Sequence, residues 1–311
     1  MNYMMNKIVA VQGNHPSKLN PVTDTSVFLA HEIQNRKYKI FYYDPKNLSV
    51  INSKVIAKGF FIEFDYNKKK FFKILRKQNL DLTLCKYILI RQDPPFNLEY
   101  ISATYILDTI KNKVKIINNP TSIRNVSEKL YSVKYQKFMP STIFTQNIDE
   151  IKNFFKKHKK VILKPIHSFS GNDIHLLNKF NLKLVQKFIK QHDHIMCQKY
   201  LSKISKGDKR VFLINGKVCG AISRVPKKGS FLSNMSKGAK PINIKLTKLE
   251  NKISKLIAKD LKKENIYFAG IDFIDQKLNG DINVTSPTGL KTLFDLSEIN
   301  LAKIFWNELK A

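Results

Sequence analysis

"FAGIDFIDQKLNGDINVTSPTGL", residues 268–290, sets two apolar β-rich runs on either side of an Asn279-Gly280 turn and places acidic residues inside both. Asp272 lies within the first run, and Asp281 and Asn283 alternate with Ile282 and Val284 in the second. A carboxylate placed where a strand packs against a core costs several kcal/mol unless something pairs with it. If the two runs are neighbouring strands, Asp281 and Asn283 share a face, because strand side chains alternate with period two, and Asp272 can turn to the same space. Two carboxylates and an amide oxygen are hard donors of the kind Mg²⁺ takes together with phosphate oxygens and water. Spacing alone also admits a plainer arrangement, in which Asp281 serves the turn and Asp272 is bridged to one of many lysines.

Upstream, "KRVFLINGKVCGAISRV" (209–225) predicts a hairpin, with Asn215-Gly216 supplying the positive φ angles of a tight turn. Residues near the open ends of a hairpin come together, which brings Arg210 and Arg224 towards one site with Asp208 and Lys209 beside them. Two guanidiniums there can grip carboxylate or phosphate bidentately, although charged hairpin ends also commonly face water. "PKKGSFLSNMSKGAKP" (226–241) follows as a long glycine-punctuated loop, a length typical of active-site lids. Lys164 leaves the strand "VILKP" just before the small-residue loop "HSFSGND", where an ammonium and loop amides can cover one anion and Gly171 is the hinge. In so basic a chain, a solvated surface lysine is the ordinary alternative.

The first third alternates strands, "KIVAVQG" (7–13), "YKIFYYD" (38–44), "YILIRQDPPF" (87–96) and "VKIINNP" (114–120), with helices at 23–34 and 98–112. That alternation predicts a parallel sheet covered on both faces. "NKKKFFKILRK" (67–77) carries Phe71, Ile74 and Leu75 at helical spacing, so a core-facing helical stripe is expected. Beyond 121, helices are predicted at 127–136, 148–160, 181–192, 247–265 and near 297–309, with strands in 161–177 and 194–201.

With 311 residues, 43% of them hydrophobic, the chain can build a sizeable core in two or three domains. No run approaches the roughly 20 apolar residues of a membrane span, and "MNYMMNKIVAVQGNHP" is too short in apolar residues for a secretory signal, so a cytoplasmic protein without a membrane partner is expected. Cys85, Cys197 and Cys219 lie apart without metal-binding spacing, and read as buried structural thiols in a reducing compartment. The charge of +31 comes from 55 Lys+Arg against 24 Asp+Glu, but the lysines are spread along the whole chain. Weak, salt-dependent attraction of polyanions follows from that distribution, without a specific nucleic-acid site.

Taken in order, "RQDPPF", "ATYILD", "SEKLYSVKY", "ILKP", "QKYL", "GDKRVFLINGK", "SRVP" and "GIDFI…DINVTSPTG" closely resemble the prokaryotic glutathione synthetases, ligases of the ATP-grasp superfamily. The resemblance spans nearly the full chain. It implies an α/β ATP-grasp fold, with an N-terminal parallel-sheet, Rossmann-like substrate-binding domain (1–122), a central α+β lid subdomain (123–202) and a C-terminal α+β catalytic subdomain with the metal site (203–311). It also implies ATP-dependent joining of γ-glutamylcysteine to glycine through an acyl phosphate, with Mg²⁺, or Mn²⁺ in its place, and ATP as co-substrate. Family members are often tetramers, so a homo-oligomer is implied.

Carried over residue by residue, Lys129 and Lys164 resemble the nucleotide lysines that reach the phosphates or the edge of the adenine, and Ser170 and Gly171 belong to the small loop that covers the phosphates. Gln198, Lys199, Tyr200 and Leu201 resemble the adenine-binding segment, and Asp208 sits where the ribose would be held. Arg210 and Arg224 match the catalytic arginines near the transferred phosphoryl group. Arg91, Asp93, Asn234, Ser286 and Thr288 match peptide-binding positions, and Asp272, Asp281 and Asn283 the Mg²⁺ ligands. Three departures stand out: "HSFSGND" is poorer in glycine than the family's phosphate loop, the 226–241 loop has lost glycines and an arginine, and Asp281 stands where the family has glutamate. Another ATP-grasp carboxylate–amine ligase with a different acceptor, or a decayed scaffold that binds polyanions, are the alternatives.

Overall fold

The computed structural model describes residues 7–66, 68–168 and 171–311, which form three β-sheets. The first is built from β1 (Ile8–Gln12), β2 (Lys39–Tyr43), β3 (Leu48–Ile51), β4 (Lys54–Phe64), β5 (Phe72–Asp81), β6 (Tyr87–Ile90) and β7 (Lys115–Ile117). Helices α1 (Thr25–Asn35), α2 (Leu98–Asp108) and α3 (Pro120–Asn125) connect or follow its strands. Polar side chains start all three: Asp24, Asn97 and Asn119 each accept an N–H of the first helical turn.

The expected parallel sheet is mixed instead. β1 pairs parallel with β2 and β6, and β6 with β7, but β4 runs antiparallel to β2, β3 and β5. The two-residue link Asn52-Ser53, both at positive φ, turns β3 directly into β4, and a link that short permits only antiparallel pairing. The helix expected across 67–77 is in fact mostly β5. Leu75 is 49% exposed, so the stripe of Phe71, Ile74 and Leu75 does not face one core. Three apolar residues at that spacing in a short lysine-rich run do not distinguish a helix from an irregular strand, and pairing with β4 decides the outcome.

The second sheet contains β8 (Thr142–Thr145), β9 (Val161–Pro165), β10 (His175–Leu177) and β11 (Ile195–Lys199), in the order β10-β9-β11-β8. Helices α4 (Ile148–His158) and α5 (Leu182–His192) lay Ile151, Val185 and Phe188 against Val161, Leu163, Ile195 and Cys197. The third sheet, ordered β14-β13-β12-β15-β16, uses β12 (Asp208–Ile214), β13 (Lys217–Val225), β14 (Lys240–Asn243), β15 (Phe268–Ile274) and β16 (Lys277–Asn283). Helices α6 (Lys248–Lys263), α7 (Leu290–Ser297) and α8 (Leu301–Glu308) complete the chain. The predicted hairpin is β12–β13, with Asn215 at φ 49° and Gly216 at φ 78°.

Two further differences are local. Residues 130–138 coil as a 3₁₀ run instead of an α-helix, and the helix expected near 297–309 is α8, preceded by an unexpected helix, α7, that ends at Glu298, where φ is 60°. No helix among the described residues is long and apolar enough to cross a membrane. Alternation along β1 sends Ile8 and Ala10 to one core with Tyr100 and Leu107 of α2, and Val9 and Val11 to another with Leu29, Phe212 and Trp306. This second core joins the first sheet to one face of the third. The other face, Val211, Leu213, Ala269 and Ile271, packs on α6 and on Tyr131 and Tyr135.

Candidate active site

The main cleft opens between the second and third sheets. Its chemistry follows from strand register. β12 lies between β13 and β15, so Asp208 stands opposite Arg224 on one side, and Arg210 opposite Asp272 on the other. All four side chains are buried. Arg224 donates to both oxygens of Asp208, at 2.7 and 2.5 Å, and its Nη2 lies 2.9 Å from Asp272 Oδ2. Arg210 donates to the same Asp272 carboxylate at 2.5 and 2.8 Å. Hairpin ends facing water are therefore excluded.

The electrostatics follow from this chain of charge. Burial pushes Asp272 up, but two guanidiniums outweigh it and hold the carboxyl well below the usual range. Asp208 moves the other way, because burial and the neighbouring Asp272 outweigh the pull of Arg224.

The lysines form a second group. Lys164, on β9, and Lys129, ahead of the 3₁₀ run, are each 4% exposed, so neither is a solvated surface lysine. Lys164 Nζ donates to the Asn279 carbonyl and Oδ1, both at 2.9 Å, and lies 3.6 Å from Asp281. Lys129 Nζ donates to the Ser168 carbonyl at 2.9 Å and lies 3.4 Å from the same carboxylate. Burial lowers the Lys164 pKa, with Asp281 pulling it back up and Lys129 pushing it further down.

Asp272, Asp281 and Asn283 all line the cleft, as their alternation on β15 and β16 predicts. The donor set fits a hard cation in its chemistry. Asn283 Oδ1 is sealed from solvent and accepts no hydrogen bond, so this oxygen is free to meet a cation. The two carboxylates are held instead by guanidinium and ammonium groups of the protein, which are the groups a metal would displace.

At the far end of the cleft, Ile162, Ile174, Ile204 and Ile274 form apolar walls beside Gln198, Lys199, Tyr200 and Leu201. Gln198 is buried and donates to Thr142 Oγ1 at 3.0 Å, and the Lys199 and Tyr200 N–H groups donate to the Ser141 and Lys160 carbonyls at 2.9 and 3.1 Å. Over it lies the 226–241 loop, with Phe231, Leu232, Ser233 and Asn234 in the wall. Asn234 therefore belongs to this cleft, where its side chain occupies the space beside Gly171. Gly171 is at φ 71°, a conformation that favours glycine. Ser170 falls outside the described residues.

The remaining candidates gather elsewhere. Arg91 follows β6, is 6% exposed, and donates to Ser26 Oγ at 3.1 Å and to the Pro287 carbonyl at 3.0 Å. Asp93 accepts from Asn14 Nδ2 at 2.7 Å. Arg91 Nη1 and Ser286 Oγ are both sealed without partners, while Thr288 faces solvent. This group lies at the carboxyl ends of parallel strands, where open α/β sheets bind ligands.

Sequence reading missed Glu128, which lines the main cleft and accepts from Thr285 Oγ1 at 2.7 Å. It also missed Asn279, and Ser233 on the loop. Adjacency to Lys129 was the available signal for Glu128. Of the thiols, Cys85 and Cys197 are buried as expected, but Cys219 is partly exposed.

Residues 8–124 match the family model of the prokaryotic glutathione synthetase N-terminal domain, and residues 128–298 that of its ATP-grasp domain. A glutathione synthetase of Brucella melitensis is 35% identical over 307 residues, covering 97% of this chain and 98% of the relative. Among solved structures, the ATP-grasp ligase PsnB, complexed with Mg, ADP and a precursor variant, superposes with a TM-score of 0.64 at 12% identity, covering 99% of this chain and 98% of its own. D-alanyl-alanine synthetase A from Vibrio cholerae gives a TM-score of 0.62 at 13% identity, covering 99% and 100%. These structural likenesses carry the ATP-grasp fold, and with matches reaching from residue 8 to residue 298 the chain belongs to the prokaryotic glutathione synthetase family.

Proposed function

We propose that this chain is an ATP-dependent ligase that joins γ-glutamylcysteine to glycine and forms glutathione. The observation that carries the reading is the convergence of four buried cations, Lys129, Lys164, Arg210 and Arg224, on one cleft that also holds Asp272, Asp281 and Asn283. Such a site suits a transferring phosphoryl group, whose charge spreads over its oxygens. The cysteinyl carboxylate oxygen attacks the γ-phosphorus of ATP, the bond from phosphorus to the bridging oxygen breaks, and ADP departs. The glycine amine attacks the carbonyl of the acyl phosphate, and the tetrahedral intermediate expels phosphate while the amine's protons pass to solvent and phosphate. No protein nucleophile is required.

Lys129 and Lys164 are assigned to the nucleotide phosphates, with Ser170 and Gly171 covering them. The backbone of 198–201 reads adenine between the isoleucine walls, and Asp208 takes the ribose. Arg210 and Arg224 neutralise the acyl phosphate. Arg91, Asp93, Ser286 and Thr288 hold the dipeptide; the partnerless Arg91 Nη1 and Ser286 Oγ support that assignment. Asn234 closes over the site from the lid. Mg²⁺, or Mn²⁺ with the same donor preference, would be held by Asp272, Asp281 and Asn283 and supplies Lewis-acid neutralisation of the phosphates. The proposed units are 1–122, 123–202 and 203–311, in a cytoplasmic homo-oligomer, for which light scattering gives the copy number.

The test is phosphate release from ATP and Mg²⁺ with γ-glutamylcysteine, with and without glycine, and mass spectrometry of the product. Release that requires both substrates, with the tripeptide appearing, is expected. Folded, ATP-binding protein that turns over only with another amine would assign a different ligase.

A further inference from the structure

Glu128 is pinned on the seam between the two groups of candidate residues. Its carbonyl accepts from the Ile282 N–H at 2.9 Å, between Asp281 and Asn283. Its carboxylate Oε1 accepts from Thr285 Oγ1 at 2.7 Å and from the Thr285 N–H at 3.4 Å, just ahead of Ser286. Every other carboxylate of the cleft is answered by a cation: Asp208 by Arg224, Asp272 by both arginines, and Asp281 by Lys129 and Lys164. Among the described residues, no cationic group lies within ion-pair distance of Glu128, and its Oε2 carries no hydrogen bond. The side chain lines both the main cleft and a second, narrow cavity bounded by Pro94, Phe96, His167 and Ser168.

A half-buried carboxylate with no ion-pair partner carries a desolvation cost, and burial raises its pKa against the pull of Lys129 and Thr285. A cationic ligand relieves that cost. ATP brings none. The dipeptide's ammonium lies at the end remote from its reacting carboxylate, and the narrow cavity has no room for a dipeptide. The acceptor brings an ammonium that must lie beside the acyl carbonyl. We propose that Glu128 is the anchor for the ammonium of the incoming acceptor, which releases one proton to solvent before the neutral amine attacks, and so selects a small amino acid as acceptor, an inference that rests on the ligase reading above.

The test compares wild type with Glu128→Gln, which keeps an oxygen to accept from Thr285, using both glycine and hydroxylamine as acceptors. Hydroxylamine is uncharged at neutral pH and traps the acyl phosphate as a hydroxamate, so it does not need the anchor. Losing a charged hydrogen bond should raise the glycine KM about tenfold or more. The KM values for γ-glutamylcysteine and ATP should stay within about twofold, and hydroxamate formation should fall far less than tripeptide formation. An unchanged glycine KM, or equal losses with all substrates and with hydroxylamine, would overturn the proposal. Thr285→Val removes the hydroxyl but not the charge, and should shift the glycine KM less than Glu128→Gln; equal shifts would make the pair merely structural. Glu128→Asp keeps the charge and should stay nearer wild type than Glu128→Gln, and the reverse order also overturns it. Wild type that forms neither tripeptide nor hydroxamate would sink the ligase reading itself, a result distinct from any difference between variants.

Discussion

Asn118 and Phe268 exchange two hydrogen bonds: Asn118 Nδ2 donates to the Phe268 carbonyl at 2.7 Å, and the Phe268 N–H donates to Asn118 Oδ1 at 2.8 Å. The same amide donates to the Val284 carbonyl at 2.7 Å and accepts from the Tyr267 N–H at 2.8 Å. One buried side chain thus ties the end of β7 to β15 and to the end of β16, fixing the first sheet against the strands that carry Asp272 and Asn283. Asn118→Ala strands four backbone groups, so a loss of about 3–5 kcal/mol is expected. Urea unfolding should show a lower midpoint at unchanged slope. A loss under about 1 kcal/mol would mean that water replaces the amide.

Asp272→Asn removes the charge that holds Arg210 and Arg224 together. Both guanidiniums then lie buried with weakened compensation, and breaking a buried pair costs about 3–5 kcal/mol. Turnover should fall at least about a hundredfold, measured as phosphate release at saturating Mg²⁺, because a ligand oxygen and the placement of two cations are lost together. Wild-type turnover at limiting Mg²⁺ would take Asp272 out of the metal site.

The 226–241 loop should behave as a lid. Lys227, Lys228 and Lys237 are exposed on it, while Ser233 is 8% exposed against the cleft. Trypsin should cut the free protein at these lysines, and ATP with γ-glutamylcysteine should slow cutting about tenfold or more, as closure of such loops over substrate does. Equal cutting in both states would show that the loop does not close.

Periodicity made much of this fold legible. The alternation of Asp281 and Asn283 with Ile282 and Val284 put both polar groups on one face, and Asn215-Gly216 located the β12–β13 turn. Legibility ended where non-local pairing decides. Arg210 and Asp272 are 62 positions apart, and nothing local to either run shows that β12 lies beside β15. The β3–β5 meander was hidden for a similar reason, since lysine-rich strands lack the clean apolar alternation of a half-buried sheet. Glu128 escaped notice because its role comes from what it lacks, a neighbouring cation, and that is visible only in three dimensions.

The buried thiols set an alkaline limit on stability. Cys85 is 5% exposed and Cys197 fully buried, and burial pushes each thiol up to about 12. In the unfolded chain both ionise near pH ~8.5. Above that pH the unfolded state has released protons that the native state keeps, so the native state binds more protons and stability falls as pH rises. The loss is about 1.4 kcal/mol per thiol per pH unit until the folded values are reached. Between pH ~8 and ~10, wild type should therefore lose about 4 kcal/mol more than the Cys85→Ala, Cys197→Ala double variant in paired urea titrations. Cys219, partly exposed, should be the first thiol alkylated in the native protein. Identical pH dependence in the two proteins, or labelling of Cys197 ahead of Cys219, would mean that the two inner thiols ionise without unfolding.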